Sequence, residues 1–485
     1  MTTPPDLPGA AFDACEDTPA NQSANPTLGD VIAERLTRRD LIRGALAVSV
    51  VTSTIAPLAI ASAPTRAQAA PGASPRFAFT EVTAGSDATH HVAEGYNADI
   101  LIRWGDAVLP DAPAFDPLQP SASAQEKQFG YNNDFIGFIP LDGSRDRGLL
   151  VVNHEYTNDE LMYFGLVGWT RKGKIEGLSD EQTRASMAAH GGSIFEIARV
   201  DGRWRVVEGS RYARRITAST PMEITGPAAG HDLMKTNADP SGTRVLGMLN
   251  NCAGGVTPWG TWLTCEENFN FYFADEDAAK LSPLAKSYAR YGVPEVYYPW
   301  SRIDKRFDIA AEPNECHRFG WVVEIDPFDP QSVPKKRTAL GRFKHEGAGN
   351  IVNKDGRFVV YQGDDQRFDY VYKFVSAGKV DLENRSANHD LLDTGTLYVA
   401  RFDANGRGEW LALEADNPKL AAFADQGAIL INARLAADAL GATKMDRPED
   451  VDVHPSTGKV FLMLTNNGKR KSDEVDAANP RAENR

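Results

Sequence analysis

The apolar residues of this 485-residue chain fall into short runs, not into long helical stripes. Gly148–Asn153, Ser193–Val200, Arg203–Val207, Val245–Asn250 and Gly260–Thr264 read as strands, bounded by Gly, Asn, Asp or Pro. Trp321–Asp326, Arg357–Gln362, Tyr370–Val375, Thr396–Phe402 and Glu409–Leu413 continue the series. The clearest hairpin comes last: Val451–His454, the turn Pro455-Ser-Thr-Gly458, then Lys459–Thr465. Its second strand, Val460-Phe-Leu-Met-Leu464, is apolar at every position, the pattern of a strand covered on both faces. Many short hairpins without βα alternation predict an all-β fold, and the length is too great for one sandwich. The predicted architecture is therefore a β-propeller with inserted loops and short helices. Asp275–Gly292 has helical composition and leads into the aromatic Val293–Trp300, which reads as a lid. Lys419–Thr443 reads as a helix followed by a loop.

The one apolar stretch near membrane length lies close to the N-terminus. Thr37-Arg-Arg-Asp-Leu-Ile-Arg43 is followed by the uncharged run Gly44–Ala63 and by Ala67-Gln-Ala69, a small-residue cleavage pattern. The pair Arg38-Arg39 points to a twin-arginine export signal. Thr52, Ser53, Thr54 and Pro57 dilute the run too far for a stable membrane anchor. Residues 1–69 are thus expected to be a leader, residues 70–485 a single propeller domain, and the product periplasmic or secreted.

Composition narrows the function. Fifty-two Lys and Arg against 66 Asp and Glu leave a net charge of −14, which offers nucleic acid no cationic field. Four cysteines are too few for a disulfide framework. Removing the leader takes Cys15 and leaves Cys252, Cys265 and Cys316, so at least one thiol is expected free or metal-bound.

Several predicted strands end in acidic or amide clusters: Asn153-His-Glu155, Asn250-Asn-Cys252, Cys265-Glu-Glu267, His345-Glu346, Gly363-Asp-Asp365 and Arg447-Pro-Glu-Asp450. Carboxylates gathered from separate strands repel one another unless cations neutralise them. Oxygen donors suit calcium, whereas a thiolate such as Cys252 favours a transition metal. A buried inert cysteine or a Cys252–Cys265 disulfide remains an alternative. The Asn-His-Glu at 153–155 lacks the neighbours of a calcineurin-like metallophosphatase, and no GxSxG or HExxH occurs.

Longer strings are diagnostic. Phe129-Gly-Tyr-Asn-Asn-Asp134, Val152-Asn-His-Glu-Tyr156, Thr257-Pro-Trp-Gly-Thr-Trp-Leu-Thr-Cys-Glu-Glu-Asn268, Gly320-Trp-Val-Val-Glu-Ile-Asp326, Lys344-His-Glu-Gly347, Gly363-Asp-Asp365 and Arg447-Pro-Glu-Asp450 resemble the PhoX-type alkaline phosphatases in order. The resemblance implies a twin-arginine-exported β-propeller that hydrolyses phosphomonoesters at a mixed iron–calcium centre. It implies that Cys252 ligates iron, that Glu267 and Glu346 bridge metals, and that Asp365 and Glu449 serve calcium. Arg447 would hold the phosphoryl oxygens, making it and Glu449 the catalytic candidates. Glu266, His154, Glu155, Asn132 and Asn133 lie in matching motifs. The family continues well past the Leu-Thr-Asn-Asn at 464–467, so the resemblance also implies a propeller short of its C-terminal blade. The competing readings are a calcium-dependent propeller lactonase or esterase and a non-enzymatic exported calcium-binding propeller.

Overall fold

The computed structural model describes residues 80–85, 89–166 and 177–484. The leader expected at 1–69, with Arg38 and Arg39, lies outside the described residues. The chain divides into two compact units, one of Phe12–Ile100 and one built on Leu101–Arg485. The described part of the first holds a turn closed by the Tyr96 amide donating to the Ala93 carbonyl at 3.0 Å. Everything below belongs to the second.

Among its described residues that unit is mostly β-structure, arranged in four separate sheets, none closed on itself. The first contains β1 (Asn133–Pro140), β2 (Arg147–His154), β3 (Gly191–Val200), β4 (Arg203–Val206) and β5 (Arg214–Ile216), all antiparallel. The second contains β6 (Pro221–Thr225), β7 (Arg244–Leu246), β8 (Asn251–Val256), β9 (Trp262–Glu266), β10 (Val322–Ile325) and β11 (Lys335–Arg337). Its order is β7-β6-β11-β10-β9-β8, with only β6 and β11 parallel. The third is a meander of β12 (His345–Val352), β13 (Arg357–Asp364), β14 (Val371–Lys379), β15 (Gly395–Phe402) and β16 (Gly408–Ala412). The fourth is the hairpin β17 (Pro448–Val453) and β18 (Val460–Leu464).

Strand periodicity explains how the sheets stack. In β9 and β10, Trp262 and Val323 join one apolar core with Leu149, Val151 and Ile194 of the first sheet. The alternate residues Leu263 and Val322 join another with Phe358, Val360 and Tyr372 of the third. β9 and β10 are therefore buried on both faces, between two cores.

The innermost strands β1, β8, β12 and β17 meet in sequence. Glycine permits the approach: a Cβ at Gly255 would sit 2.4 Å from the Ala348 carbonyl oxygen, and one at Gly349 would sit 2.1 Å from that of Val451. Each of the four also carries an irregularity in its pairing, at 133–136, 251–254, 346–349 and 448–451. Such bulges bend a strand and re-aim a side chain.

Four expectations are corrected. β18 is not enclosed, since Phe461 and Met463 are 44% and 51% exposed and its described partner is β17 alone. Val293–Trp300 is core, not a lid: Tyr298 and Trp300 are buried against His190 and Tyr272, and the Tyr298 hydroxyl donates to the Thr157 carbonyl at 2.8 Å. The helical stretch before it breaks into Glu276–Leu281 and Ala285–Tyr291, because Pro283 has no amide hydrogen to continue the ladder. Lys419–Thr443 is not one helix and a loop: it opens on the 3₁₀ turn Pro418–Leu420, then Asp425 caps Gln426–Ile431 through the Ala428 amide at 2.8 Å, and Ala433–Leu440 stops at Gly441.

Candidate metal centre

Five side chains from five strands or strand ends meet where the innermost strands do. Cys252 on β8, Glu267 just past β9 and Glu346 on β12 place their donor atoms within 4.8 Å of one another. Glu346, Asp365 just past β13 and Glu449 on β17 do the same, so Glu346 belongs to both groups. Cys252, Glu346 and Glu449 each sit in one of the bulges. The Cys252 thiol donates to Glu346 Oε2 at 2.9 Å and lies 3.2 Å from the His345 carbonyl.

Burial and mutual repulsion dominate the electrostatics. Burial pushes the Cys252 thiol well above its usual range, and the charges of Glu346, Glu267, Asp134 and Glu155 push it further. Burial likewise raises the Glu267 carboxyl, with Asp365 and Glu449 adding to the rise and Lys344 and Arg447 opposing it. Glu346 is raised by burial, then by Glu267, Asp365 and Glu449. Glu267 Oε1 is buried with no hydrogen-bond partner among the described residues. A set of acids held against its own charge, with one oxygen unsatisfied, fits bound cations.

Arg447 closes one side. Its backbone is left-handed, with φ +48°, and its guanidinium grips Asp365 through Nε at 2.9 Å and Nη2 at 2.8 Å. Nη2 also lies 3.2 Å from Glu449 Oε1. Burial opposes the guanidinium's charge, but the Asp365 bonds outweigh it and raise its pKa.

The bulge beneath Cys252 is held by amides. Asn153 Nδ2 donates to the Cys252 carbonyl and, at 2.9 Å, to that of Ala253. Its Oδ1 accepts from the Thr264 hydroxyl at 2.7 Å, whose oxygen accepts from Asn251 Nδ2 at 2.9 Å. Asn153 was visible in the sequence only as the neighbour of His154.

Other expected residues are placed elsewhere. Glu266 points away from the cluster: Oε1 accepts from Lys336 Nζ at 2.7 Å and the Leu249 amide at 3.1 Å, and Oε2 from the Gly320 and Trp321 amides, both at 3.1 Å. It is a structural carboxylate. His154 is buried under Phe129, with Nε2 bonded to the Gly130 amide and the Ser193 hydroxyl, and burial lowers its pKa well below the usual histidine value. Asn132 uses its carbonyl to accept from the Glu155 amide at 3.1 Å, and Asn133 pairs with His154 across β1 and β2. Glu155 bears on the centre through its charge near Cys252. Cys252, Cys265 and Cys316 are all free thiols, so no Cys252–Cys265 disulfide forms. Reading the sequence missed Asp134, whose charge reaches Cys252, and Asn268 and Lys344, which flank Glu267. All three stand inside the family-like motifs, but nothing in the spacing distinguishes them.

A family model described as alkaline phosphatase PhoX matches residues 77–485. The chain belongs to this family. Members of the PhoX family are phosphatases, and this chain is accordingly a hydrolase of phosphomonoesters. It is also similar to a solved structure titled Pseudomonas fluorescens PhoX in complex with vanadate, a transition state analogue. The two share 48% sequence identity and a TM-score of 0.76 over 81% of this chain and 69% of that one. No match is found among curated proteins. Among the described residues, no helix is long and apolar enough to cross a membrane.

Proposed function

We propose that the chain hydrolyses phosphomonoesters at a mixed iron–calcium centre and releases inorganic phosphate. The observation that carries this is the convergence of one thiol and four carboxylates from distant segments on adjoining donor groups. Cys252, Glu267 and Glu346 form the sulfur-containing group and suit iron. Glu346, Asp365 and Glu449 form the all-oxygen group and suit calcium. Bound cations would reverse the local pKa logic, holding Cys252 as a thiolate and the carboxyls ionised. They would also supply Lewis acidity and a nucleophile at neutral or alkaline pH without a Ser or His base.

The chain's own contribution is orientation and charge. The Arg447 guanidinium is planar and permanently charged, the group suited to two phosphoryl oxygens at once. Its present partners, Asp365 and Glu449, are themselves proposed calcium ligands. Cations on those carboxylates would weaken their hold on Arg447 and leave its donors for substrate. That the PhoX relative holds vanadate, a phosphoryl-transfer analogue, supports this reading. The four sheets with their innermost strands adjoining are read as blades of a β-propeller domain after the leader. The leader itself supports twin-arginine export to the periplasm or beyond.

Elemental analysis of folded, exported protein, with visible absorption and phosphatase assays, tests the proposal. Iron plus calcium and hydrolysis of p-nitrophenyl phosphate are expected. Cys252→Ala is expected to lose the iron and any thiolate-to-metal colour. A wild-type protein with calcium alone, colourless and active only on lactones, would overturn it.

A further inference from the structure

A hydrogen-bond chain runs behind Glu267. Lys344 is buried, and its Nζ donates to Asn268 Oδ1 at 2.7 Å. An ammonium group can only donate, so the amide atom facing it must be oxygen, and Nδ2 must face away. There Nδ2 donates to Glu267 Oε2. The other oxygen of that carboxylate, Oε1, is the buried one without a hydrogen-bond partner. Asn268 is itself fixed, 1% exposed, with its backbone amide donating to Asn250 Oδ1 at 2.8 Å.

We propose that Lys344 and Asn268 form a two-step relay that fixes Glu267 as a metal ligand, a role that rests on the metal centre proposed above. Both are positioning residues. Lys344 sets which way the Asn268 amide faces. Asn268 then occupies Oε2 and leaves Oε1 to serve the group it shares with Cys252 and Glu346. Hydrogen bonds to a ligand's second oxygen restrict its rotation and keep it poised before the metal arrives. A substrate-binding lysine would behave differently, because its loss would act on the phosphoester and not on the metal.

The test uses the full chain, loaded with iron and calcium, and four variants. Asn268→Asp keeps the size and the acceptor for Lys344 but replaces the donor to Glu267 with a like charge. Asn268→Ala, Lys344→Met and the double variant complete the cycle. Iron retention against a graded chelator and the visible band are the readouts, with circular dichroism to establish folding. Both Asn268 variants are expected to hold iron about 10- to 100-fold less tightly. Lys344→Met is expected to weaken it in the same direction, and the double variant to match Asn268→Ala, since Lys344 acts through Asn268. At saturating metal, KM for p-nitrophenyl phosphate in Lys344→Met should stay near the wild-type value. Additive losses, unchanged iron retention in Asn268→Asp, or a raised KM without iron loss would overturn the relay and leave the centre standing. If Asn268→Ala does not fold, the near-isosteric Asn268→Asp decides. A folded wild type that binds no metal overturns centre and relay together.

Discussion

Glu266 and Glu267 are neighbours in one motif, and their carboxylates do opposite work. Glu266 and Lys336 are both fully buried and 2.7 Å apart, and Glu266 also accepts from three backbone amides. Burial pushes the Glu266 carboxyl up and the Lys336 ammonium down to about 8, and their mutual attraction opposes both shifts. Glu266→Ala leaves the lysine without its counter-charge, at a cost of about 3–5 kcal/mol. That is a large part of the roughly 5–15 kcal/mol by which folded proteins exceed their unfolded state. The variant can relieve the strain by releasing the Lys336 proton; without Glu266, which holds that pKa up, release sets in below pH 8, so the loss should shrink as pH rises toward 8. Glu267→Gln should do the reverse. Its acid is already held against burial and against Asp365, so neutralising it leaves the metal-free fold as stable or more so. Metal content and phosphatase turnover should collapse instead. Denaturant unfolding of metal-stripped protein, with metal analysis and turnover of the loaded form, separates the two. A Glu266→Ala protein of wild-type stability that has lost its metal, or a fully active Glu267→Gln, would refute the assignment.

Arg447→Lys replaces a two-point grip with a single point charge; losing one charged hydrogen bond, about 1.5–3 kcal/mol, lowers kcat/KM by roughly 10- to 150-fold. Wild-type kinetics in that variant would remove Arg447 from the site. Gly349→Ala would place a methyl 2.1 Å from the Val451 carbonyl oxygen and 2.8 Å from its carbon, forcing β12 from β17. The expected loss is about 3 kcal/mol or more, with metal affinity falling in parallel, and a variant unchanged in Tm would show that the strands are not so close. Burial pushes the Asp159 carboxyl from its ordinary value near 3.8 up to about 7, so the folded state binds its proton more tightly than the unfolded chain. Stability from that proton is present at acid pH and lost as pH rises through 7. Asp159→Asn should therefore gain on the wild type between pH 4 and 8, by up to about 4 kcal/mol. Equal pH dependence in the two proteins would contradict it.

Much of the β-structure was legible because alternation or unbroken apolarity marks a strand locally. The strands around Leu149–Val152, Ile194–Ile197 and Val359–Val360 were found within a residue or two of their ends. β8 and β12 escaped, because Asn251-Cys-Ala-Gly-Gly-Val256 and His345-Glu-Gly-Ala-Gly-Asn-Ile-Val352 are poor in strand-forming residues. They are strands because glycine lets them lie against their neighbours at the centre, a property of the assembled sheets. The lid reading failed for a related reason. Aromatic residues beside a proline look like a loop until His190 and Tyr272 are seen packed against them.

The amino-acid order alone marked clusters of acids and amides, one with a cysteine, beside a series of apolar strands, and its longer motifs identified the family. It also placed Cys252, Glu267, Glu346, Asp365 and Glu449 among the candidates. Only the tertiary structure decided that their donor atoms lie within a few ångströms, and that Glu266, one residue from Glu267, does not join them. The reason is geometric. Successive side chains at a strand end face opposite ways, so adjacent glutamates meet different surroundings. Which of them reaches the shared centre depends on bulges and close strand contacts that no local pattern encodes.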